Sequence, residues 1–224
     1  MAPRGRLIVF EGGEGAGKTT QLRRLAAQLN DDRISHYVFR EPGGTPLGDS
    51  IRDLLLHTDG HVEAAAEAAL FIASRAQLVG AEVRPALERG KHVLLDRFLL
   101  STYAYQIHGR GLPEEELRVA NRLATRGLVP DLTVLLTMPP EMGLARAGAR
   151  GAADRIERAD VDFHQRVATA FAAFGTPEWQ QTHPECGPIV AVDARGTVDE
   201  VGKRVSAAVY HALPELDRST VTNA

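Results

Sequence analysis

The stretch GGEGAGKT, residues 12–19, decides the fold class of this chain. It fits the pattern GxxxxGK[ST] in full, directly after the apolar run LIVF at 7–10 and directly before a segment with helical apolar spacing at 19–29. Glycines let the backbone turn its N–H groups inward as a nest for phosphate oxygens, and the following helix adds its positive N-terminal end. The strand–loop–helix context therefore predicts a phosphate-binding loop, or P-loop.

Two side chains of this loop have predicted tasks. Lys18 is expected to bridge the β- and γ-phosphates of ATP, and the Thr19 hydroxyl to ligate Mg²⁺. The residues predicted to bind ATP are Gly12, Gly13, Glu14, Gly15, Ala16, Gly17, Lys18, Thr19, Thr20 and Arg146.

Strand and helix patterns alternate along the rest of the chain. Short runs with apolar and β-branched residues predict strands at 7–10, 36–39, 93–95, 132–136 and 189–192. Helical spacing predicts helices at 19–29, 47–56, 64–87, 101–107, 114–126, 141–149, 161–174 and 198–213. The prediction is an α/β protein: a three-layer α/β/α P-loop NTPase fold with a five-stranded parallel sheet. We expect a single domain over 1–216, with a short Arg-rich lid at about 148–158 and a disordered polar tail at 217–224.

The composition narrows the function classes. The chain has 224 residues, 44% of them hydrophobic, and a formal net charge of −3, so no global basic field points to nucleic acid. No apolar run approaches the roughly 18 residues of a membrane span, and no signal-peptide pattern opens the chain. One cysteine, Cys186, excludes a disulfide framework and favours a reducing cytoplasm.

Charged residues beyond the P-loop point to phosphoryl transfer. Asp96 ends the third predicted strand, where a carboxylate would lie near the metal, and Arg97 follows at the sheet edge where open α/β folds bind ligands. Arg146, Arg150 and Arg155 belong to a cationic segment able to close over ATP. The alternatives are a surface salt bridge for Asp96 and Arg97, and a solvated loop for the segment. No Asn-Lys pair occurs, so the base-recognition motif NKxD of GTPases is absent.

Several blocks together resemble bacterial thymidylate kinases, and the likeness runs from about residue 7 to 213. They are EGGEGAGKTT at 11–20, REPGGT at 40–45, IRDLLL at 51–56, FIASRAQ at 71–77, DRFLLSTYAYQ at 96–106, PDLT at 130–133 and a lid-like segment at 151–157. The resemblance implies transfer of a phosphoryl group from MgATP to dTMP, giving dTDP and ADP. It also implies a homodimer formed through helices beside the sheet, for which 64–87 is a plausible contributor.

The resemblance also assigns acceptor residues. It implies that Phe71 stacks on the thymine ring, that Arg75 donates to a base carbonyl, and that Thr102 and Gln106 hold the remaining polar edge. Arg52 and Arg97 would clamp the 5′-phosphate with their forked guanidinium groups, and Glu14 would contact the sugar 3′-hydroxyl. The predicted dTMP-binding set is Glu14, Arg52, Phe71, Arg75, Arg97, Thr102 and Gln106. From the residues alone, Phe71 as plain core and Glu14 pointing to solvent stay open.

The P-loop contains no arginine, and in the family that absence goes with catalytic arginines on the lid. The predicted catalytic set is Lys18, Glu14, Arg97, Arg150 and Arg155, and the predicted metal ligands are Thr19 and Asp96. The chain departs from the family pattern at 107–108, where Ile-His stands in place of glycine, and at Ile156, where Phe is common. Alternatives are a P-loop kinase of another nucleotide or a deoxynucleoside, or a switch or partitioning ATPase.

Overall fold

The central strand of the sheet, β1 (Leu7–Glu11), is buried on both faces. Side chains alternate along a strand, so Leu7 and Val9 enter one apolar core while Ile8 and Phe10 enter the other. A strand of this kind needs a layer of helices on each side. The computed structural model, which describes residues 4–148, 155–156 and 158–218, has those two layers.

The sheet is parallel and has the strand order β2-β3-β1-β4-β5. Within the described ranges it contains five strands: β1, β2 (His36–Arg40), β3 (His92–Asp96), β4 (Leu132–Thr137) and β5 (Ile189–Asp193). The register pairs Phe10 of β1 with Asp96 of β3, so the carboxyl ends of these neighbouring strands meet at one edge. All five predicted strands are present, and the predicted α/β/α fold with a parallel sheet is confirmed.

The helices of the described residues follow the predicted order. Their bounds are α1 Lys18–Asp31, α2 Pro46–His57, α3 Ala64–Leu78, α4 Arg84–Glu88, α5 Leu99–Ser101, α6 Glu114–Thr125, α7 Pro140–Gly148, α8 Val161–Phe174, α9 Pro177–Thr182 and α10 Val198–Ala212.

Two predicted helices change their hydrogen-bond pattern along their length. The predicted helix 64–87 consists of α3, a π-helical turn at Val79–Val83, and α4. The predicted helix 101–107 is mostly π-helical, over Thr102–Gly109, and it continues α5. Apolar periodicity does not distinguish i→i−5 from i→i−4 bonding, so the pattern located these segments without their geometry. Such π-helical turns often occur at functional sites.

The short α9 was not predicted, nor were the 3₁₀ turns Pro184–Cys186 and Pro214–Leu216. Each of these segments starts with proline and is too short to show an apolar period. Cys186 is 1% exposed and lies in the core, so it is a buried structural residue.

The two core layers keep the helices in place against the sheet. The first, on the side of α8 and the π-helical turns, contains Val79, Val83, Phe163, Phe171 and Phe174. The second, on the side of α1 and α10, contains Leu22, Leu25, Leu29, Val201, Val205 and Val209. α1 therefore has its N-terminus held beneath the sheet edge where β1 ends.

Most of the predicted lid and tail lies outside the described residues: 149–154 and 157 of the lid, and 219–224 of the tail. Within the part of the chain that the structure describes, no helix has the length and apolar character needed to cross a membrane.

Candidate active site

A cleft of about 590 Å³ opens at the carboxyl ends of β1, β2 and β3. Its lining includes residues of the P-loop and the start of α1, namely Gly15, Gly17, Lys18, Thr19 and Thr20. The lining also includes the whole predicted dTMP-binding set: Glu14, Arg52, Phe71, Arg75, Arg97, Thr102 and Gln106. Folding thus brings together residues that are up to 92 positions apart in the sequence.

The P-loop backbone depends on its glycines. Gly12, Gly15 and Gly17 have φ angles of 139°, 68° and 90°, which residues with a Cβ rarely adopt. The Lys18 ammonium lies inside the turn and donates to the carbonyl oxygens of Gly12, at 2.9 Å, and Gly13, at 2.8 Å. Burial lowers the pKa of Lys18 to about 8, and the nearby positive charge of Arg97 acts in the same direction. Incoming phosphate oxygens would replace the carbonyls as partners and favour the charged lysine.

Thr19 and Asp96, the two predicted metal ligands, are in direct contact in the cleft. The Thr19 hydroxyl donates to an Asp96 carboxylate oxygen at 2.5 Å. Hydroxyl and carboxylate oxygens are hard ligands of the type Mg²⁺ prefers. The described residues contain no group of three or more His, Cys, Asp or Glu side chains able to hold a metal. A cation here would therefore complete its coordination with phosphate oxygens and water.

Glu11 is a site residue to which the sequence analysis gave no role. Its side chain is fully buried, and its carboxylate accepts bonds from the Phe98 N–H at 2.7 Å, the Ser101 N–H at 3.0 Å and the Ser101 hydroxyl at 2.8 Å. These bonds hold the turn after β3, where Arg97 has a left-handed φ of 72°. An acidic residue at the end of the otherwise apolar strand LIVFE was the available signal.

Arg97 and Glu14 form an ion pair inside the cleft, with 2.7 Å between the guanidinium and the carboxylate. The Tyr105 hydroxyl donates to the same Glu14 oxygen at 2.6 Å, and the Arg97 guanidinium lies 5.1 Å from the Tyr105 ring centre. Arg97 also donates to the Ser101 hydroxyl at 3.1 Å. Glu14 thus faces its cation partner and not solvent, which offsets the cost of an acidic group beside phosphates. The sequence analysis assigned Tyr105 no role.

Arg75 is almost completely buried, at 2% exposure. It donates to the Glu41 carboxylate at 2.8 Å, to the Thr102 hydroxyl at 2.8 Å and to the Phe98 carbonyl at 2.8 Å, and it also bonds the side chain of Asn121. The guanidinium is therefore extensively engaged by the protein. Its contacts fix Thr102, whose hydroxyl accepts the Arg75 bond at the cleft wall.

The residues predicted to bind the base and the 5′-phosphate of dTMP differ in how deeply they are buried. Phe71 is half-buried, lies on α3 facing the cleft and belongs to neither core cluster. Arg52, also half-buried, donates to the Pro42 carbonyl at 3.1 Å. Gln106 is 2% exposed, and its amide donates to the Glu67 carboxylate at 3.4 Å.

The arginines predicted near the lid lie on opposite sides of the site. Arg146 of α7 donates to the Ala194 carbonyl at 3.2 Å, beyond the end of β5. Arg155 donates to the Glu67 carboxylate at 2.7 Å and to the Leu55 carbonyl at 2.9 Å, on the side of α2 and α3. The structure does not bring these two together, and Arg150 lies outside the described residues.

α7 packs directly against the P-loop through two glycines. A Cβ added to Gly143 would lie 2.5 Å from the Glu14 carbonyl oxygen, and one added to Gly15 would lie 1.9 Å from the Gly143 carbonyl oxygen. Neither position has room for a side chain. The helix that carries Arg146 is therefore in backbone contact with the loop that carries Glu14 and Lys18.

A P-loop that faces an arginine-lined pocket across one cleft has room for a phosphate donor and a phosphorylated acceptor. A switch or motor ATPase has no use for the second pocket. The fold and the site define a P-loop kinase of a small phosphorylated molecule.

The family model described as thymidylate kinase matches residues 10–192. A thymidylate kinase of Deinococcus radiodurans is 46% identical over 205 residues, which cover 92% of this chain and 96% of that protein. A thymidylate kinase of Thermomicrobium roseum is 49% identical over 202 residues, covering 88% and 96%. That of Carboxydothermus hydrogenoformans is 49% identical over 168 residues, covering 75% and 83%. The chain belongs to the thymidylate kinase family.

Proposed function

We propose that this chain transfers the γ-phosphoryl group of ATP to dTMP, producing ADP and dTDP. As a member of the thymidylate kinase family it is a nucleoside monophosphate kinase. One observation carries the proposal at the level of the site: the same cleft contains the P-loop and all seven residues predicted to bind dTMP. Its volume of about 590 Å³ is within the usual range for small-molecule sites.

The donor half binds the phosphates of ATP. The inward N–H groups of the glycine turn and the N-terminus of α1 attract phosphate oxygens, and Lys18 supplies a mobile positive charge. Because Lys18 already occupies the turn and bonds its carbonyls, little rearrangement is needed before it meets the β- and γ-phosphates.

The acceptor half would bind dTMP by charge, stacking and hydrogen bonds. Arg97 and Arg52 would clamp the 5′-phosphate, and the exposed side of the Phe71 ring would stack on thymine. Thr102 and Gln106 would bind the polar edge of the base. The contribution of Arg75 includes holding Thr102, since its guanidinium already binds that hydroxyl.

The reaction itself needs positioning more than proton transfer. An oxygen of the dTMP phosphate attacks the γ-phosphorus, the bond to the β,γ-bridging oxygen breaks, and ADP leaves with that electron pair. The attacking oxygen is already anionic, so no general base is required. Lys18 and Arg97 would neutralise the charge that gathers between the two nucleotides, and Glu14 would orient Arg97 and the sugar 3′-hydroxyl.

Mg²⁺ is the metal we propose, held by Thr19 and Asp96. Its positive charge, once bound, would neutralise oxygens of the β- and γ-phosphates. The catalytic role of Arg150 and Arg155 and the ATP contact of Arg146 stay predictions. The buried Cys186 is compatible with the reducing cytoplasm in which we propose that the enzyme works.

An ADP-release assay over a panel of nucleoside monophosphates and thymidine tests the function. We expect turnover with dTMP and at most weak turnover with dCMP, dGMP or dAMP, because we propose that Thr102 and Gln106 bind the polar edge of thymine, which differs from that of the other bases. Thymidine should not be phosphorylated, since it brings no 5′-phosphate for Arg52 and Arg97 to clamp. ATP hydrolysis indifferent to every acceptor would reject the proposal and favour a switch ATPase.

We further propose a homodimer formed through α3 and α6. α3 exposes a row of small residues, namely Ala65, Ala66, Ala69, Ala73 and Ala76. On α6, Val119 and Leu123 are 57% and 81% exposed and lie one turn apart. Light scattering during gel filtration should give about twice the 24.2 kDa of one chain, and Leu123→Glu should shift the mass toward one chain.

A further inference from the structure

Glu67 is a buried acid in an apolar part of the chain. It lies in the first turns of α3, within the run AAAEAALF, and is 1% exposed. Phe71 follows one helical turn later and Arg75 two turns later, so the three side chains lie along the same side of α3. Buried acids are costly unless they are paired, so a fully buried carboxylate next to the acceptor cleft calls for a physical reason.

The Glu67 carboxylate receives hydrogen bonds from three side chains, two of them at the π-helical turn Thr102–Gly109 and its C-terminal end. Arg110 donates from two nitrogens at 3.1 and 3.0 Å, Arg155 donates at 2.7 Å, and the Gln106 amide donates at 3.4 Å. Burial alone would raise the pKa of Glu67, but the bonds from Arg110 and Arg155 hold it below its usual value. The group is therefore a carboxylate at neutral pH and attracts both guanidinium groups.

These bonds shape the cleft wall from two directions. Arg155 also donates to the Leu55 carbonyl at 2.9 Å, which ties it to the end of α2. Its neighbour Ile156 lines the same cleft as Phe71, together with Leu56. On the other side, the bond to Gln106 orients an amide that also lines the cleft.

We propose that Glu67 is a positioning residue for the acceptor nucleotide, acting through Arg155 and Gln106 to hold the wall of the base pocket. The inference rests on the proposed function, because it takes the acceptor to be a nucleoside monophosphate. Glu67 would thus contribute to acceptor binding although it does not itself line the cleft. It also assigns Arg155, in the arrangement seen here, to the acceptor side of the site.

A carboxylate suits this task better than an amide. Its two oxygens accept bonds from both arginines and Gln106 at once, whereas a glutamine would turn its NH₂ group toward a guanidinium. Glu67→Gln keeps the size but loses both ion pairs. We expect the KM for dTMP to rise about tenfold or more, since hydrogen bonds between charged groups are roughly twice as strong as neutral ones. The KM for ATP should stay within about twofold and kcat within about threefold, because the P-loop makes no contact with Glu67.

The matched control is Glu63→Gln. Glu63 lies one turn earlier at the start of α3 but its side chain is 81% exposed and pairs only with exposed His61. Both KM values should be unchanged in this variant. Steady-state kinetics with each substrate varied, and a thermal melt of each variant, form the measurement.

A double-mutant cycle separates positioning from general stabilisation. If Glu67 acts through Arg155, then Arg155→Ala should raise the KM for dTMP by itself, and adding Glu67→Gln should raise it by much less than in the wild type. A lower melting temperature with both KM values unchanged would overturn the proposal. So would equal increases in both KM values.

Arg155→Ala keeps the proposal testable should Glu67→Gln fail to fold, because the Arg155 side chain is less buried than that of Glu67, 12% against 1% exposed. A fall in kcat with the KM for dTMP intact would assign Arg155 to the transferring phosphoryl group and reject the positioning role. If the wild type prefers another monophosphate, the proposed function fails, but the same KM comparison with that acceptor still decides the role of Glu67.

Discussion

Gly143→Ala should impair catalysis although Gly143 does not line the cleft. The added Cβ would lie 2.5 Å from the Glu14 carbonyl oxygen, whereas ordinary contacts of this kind begin at 3.4 Å. The clash is with backbone on both sides, so no side chain can rotate away. Relieving it means a relative shift of α7 and the P-loop by roughly 0.9 Å, the difference between these distances.

Such a shift would move the P-loop, whose residues hold Arg97 and Lys18 through short hydrogen bonds. Glu14 binds Arg97 at 2.7 Å, and the carbonyl of Gly13, one residue before, binds Lys18 at 2.8 Å. A misplacement of about 1 Å in such a site costs about 100-fold in rate. We expect kcat to fall about 10- to 100-fold. The free energy of unfolding should fall by no more than about 3 kcal/mol. Overpacking costs about 1–3 kcal/mol, and alanine offsets up to about 1 kcal/mol of this because it favours the helix over glycine.

Gly148→Ala is the matched control on the same helix. A Cβ at Gly148 meets no atom within 4 Å, so this variant gains helix propensity with no clash. Kinetics with ATP and dTMP, with a thermal melt of both variants, provide the test. If Gly143→Ala kept kcat and the KM for ATP within twofold of the wild type, the coupling of α7 to the P-loop would be refuted.

Three further predictions address the donor, the base and the metal. The pKa of Lys18 in the free protein is about 8, and the charged form binds phosphate, so kcat/KM for ATP should fall about tenfold per pH unit above pH 8. In Lys18→Arg this fall above pH 8 should be absent, because arginine stays charged in that range. A wild-type kcat/KM that is constant from pH 7 to 9.5 would contradict the role of the charged Lys18. Phe71→Ala should raise the KM for dTMP about 10- to 100-fold, since stacking on one base contributes about 1–3 kcal/mol, while Phe71→Tyr keeps it; an unchanged KM would make Phe71 a structural residue. Asp96→Asn should raise the half-saturating Mg²⁺ concentration about tenfold, and identical Mg²⁺ titrations of both proteins would remove Asp96 from the metal site.

Local patterns in the sequence were sufficient for the fold and for the donor half of the site. The P-loop is one contiguous segment, so its glycines and Lys18 could be identified by spacing alone. The three inner strands, β1, β3 and β4, are buried on both faces and are therefore continuous apolar runs, a signal readily separated from an amphipathic helix. The resemblance to a family then pointed to residues on α2, α3 and β3 that no local pattern connects.

The tertiary structure decided which charges meet. Glu11, Glu41 and Glu67 are all buried acids, yet each has its partners 34 or more positions away in the chain, and no spacing rule predicts such pairs. The position of Arg155 could not be predicted for the same reason. The sequence indicated a cationic segment near ATP, but the partner of Arg155 is Glu67 on α3, which is distant along the chain.

The sequence by itself therefore determined that this chain binds phosphate with a P-loop on a parallel sheet, because those features depend on neighbours along the chain. Only the folded structure decided how the acceptor half is held. The unfavourable desolvation of a buried charge is offset by opposite charges that lie within about 3 Å in the folded protein. Which charges come that close depends on packing and not on distance along the sequence.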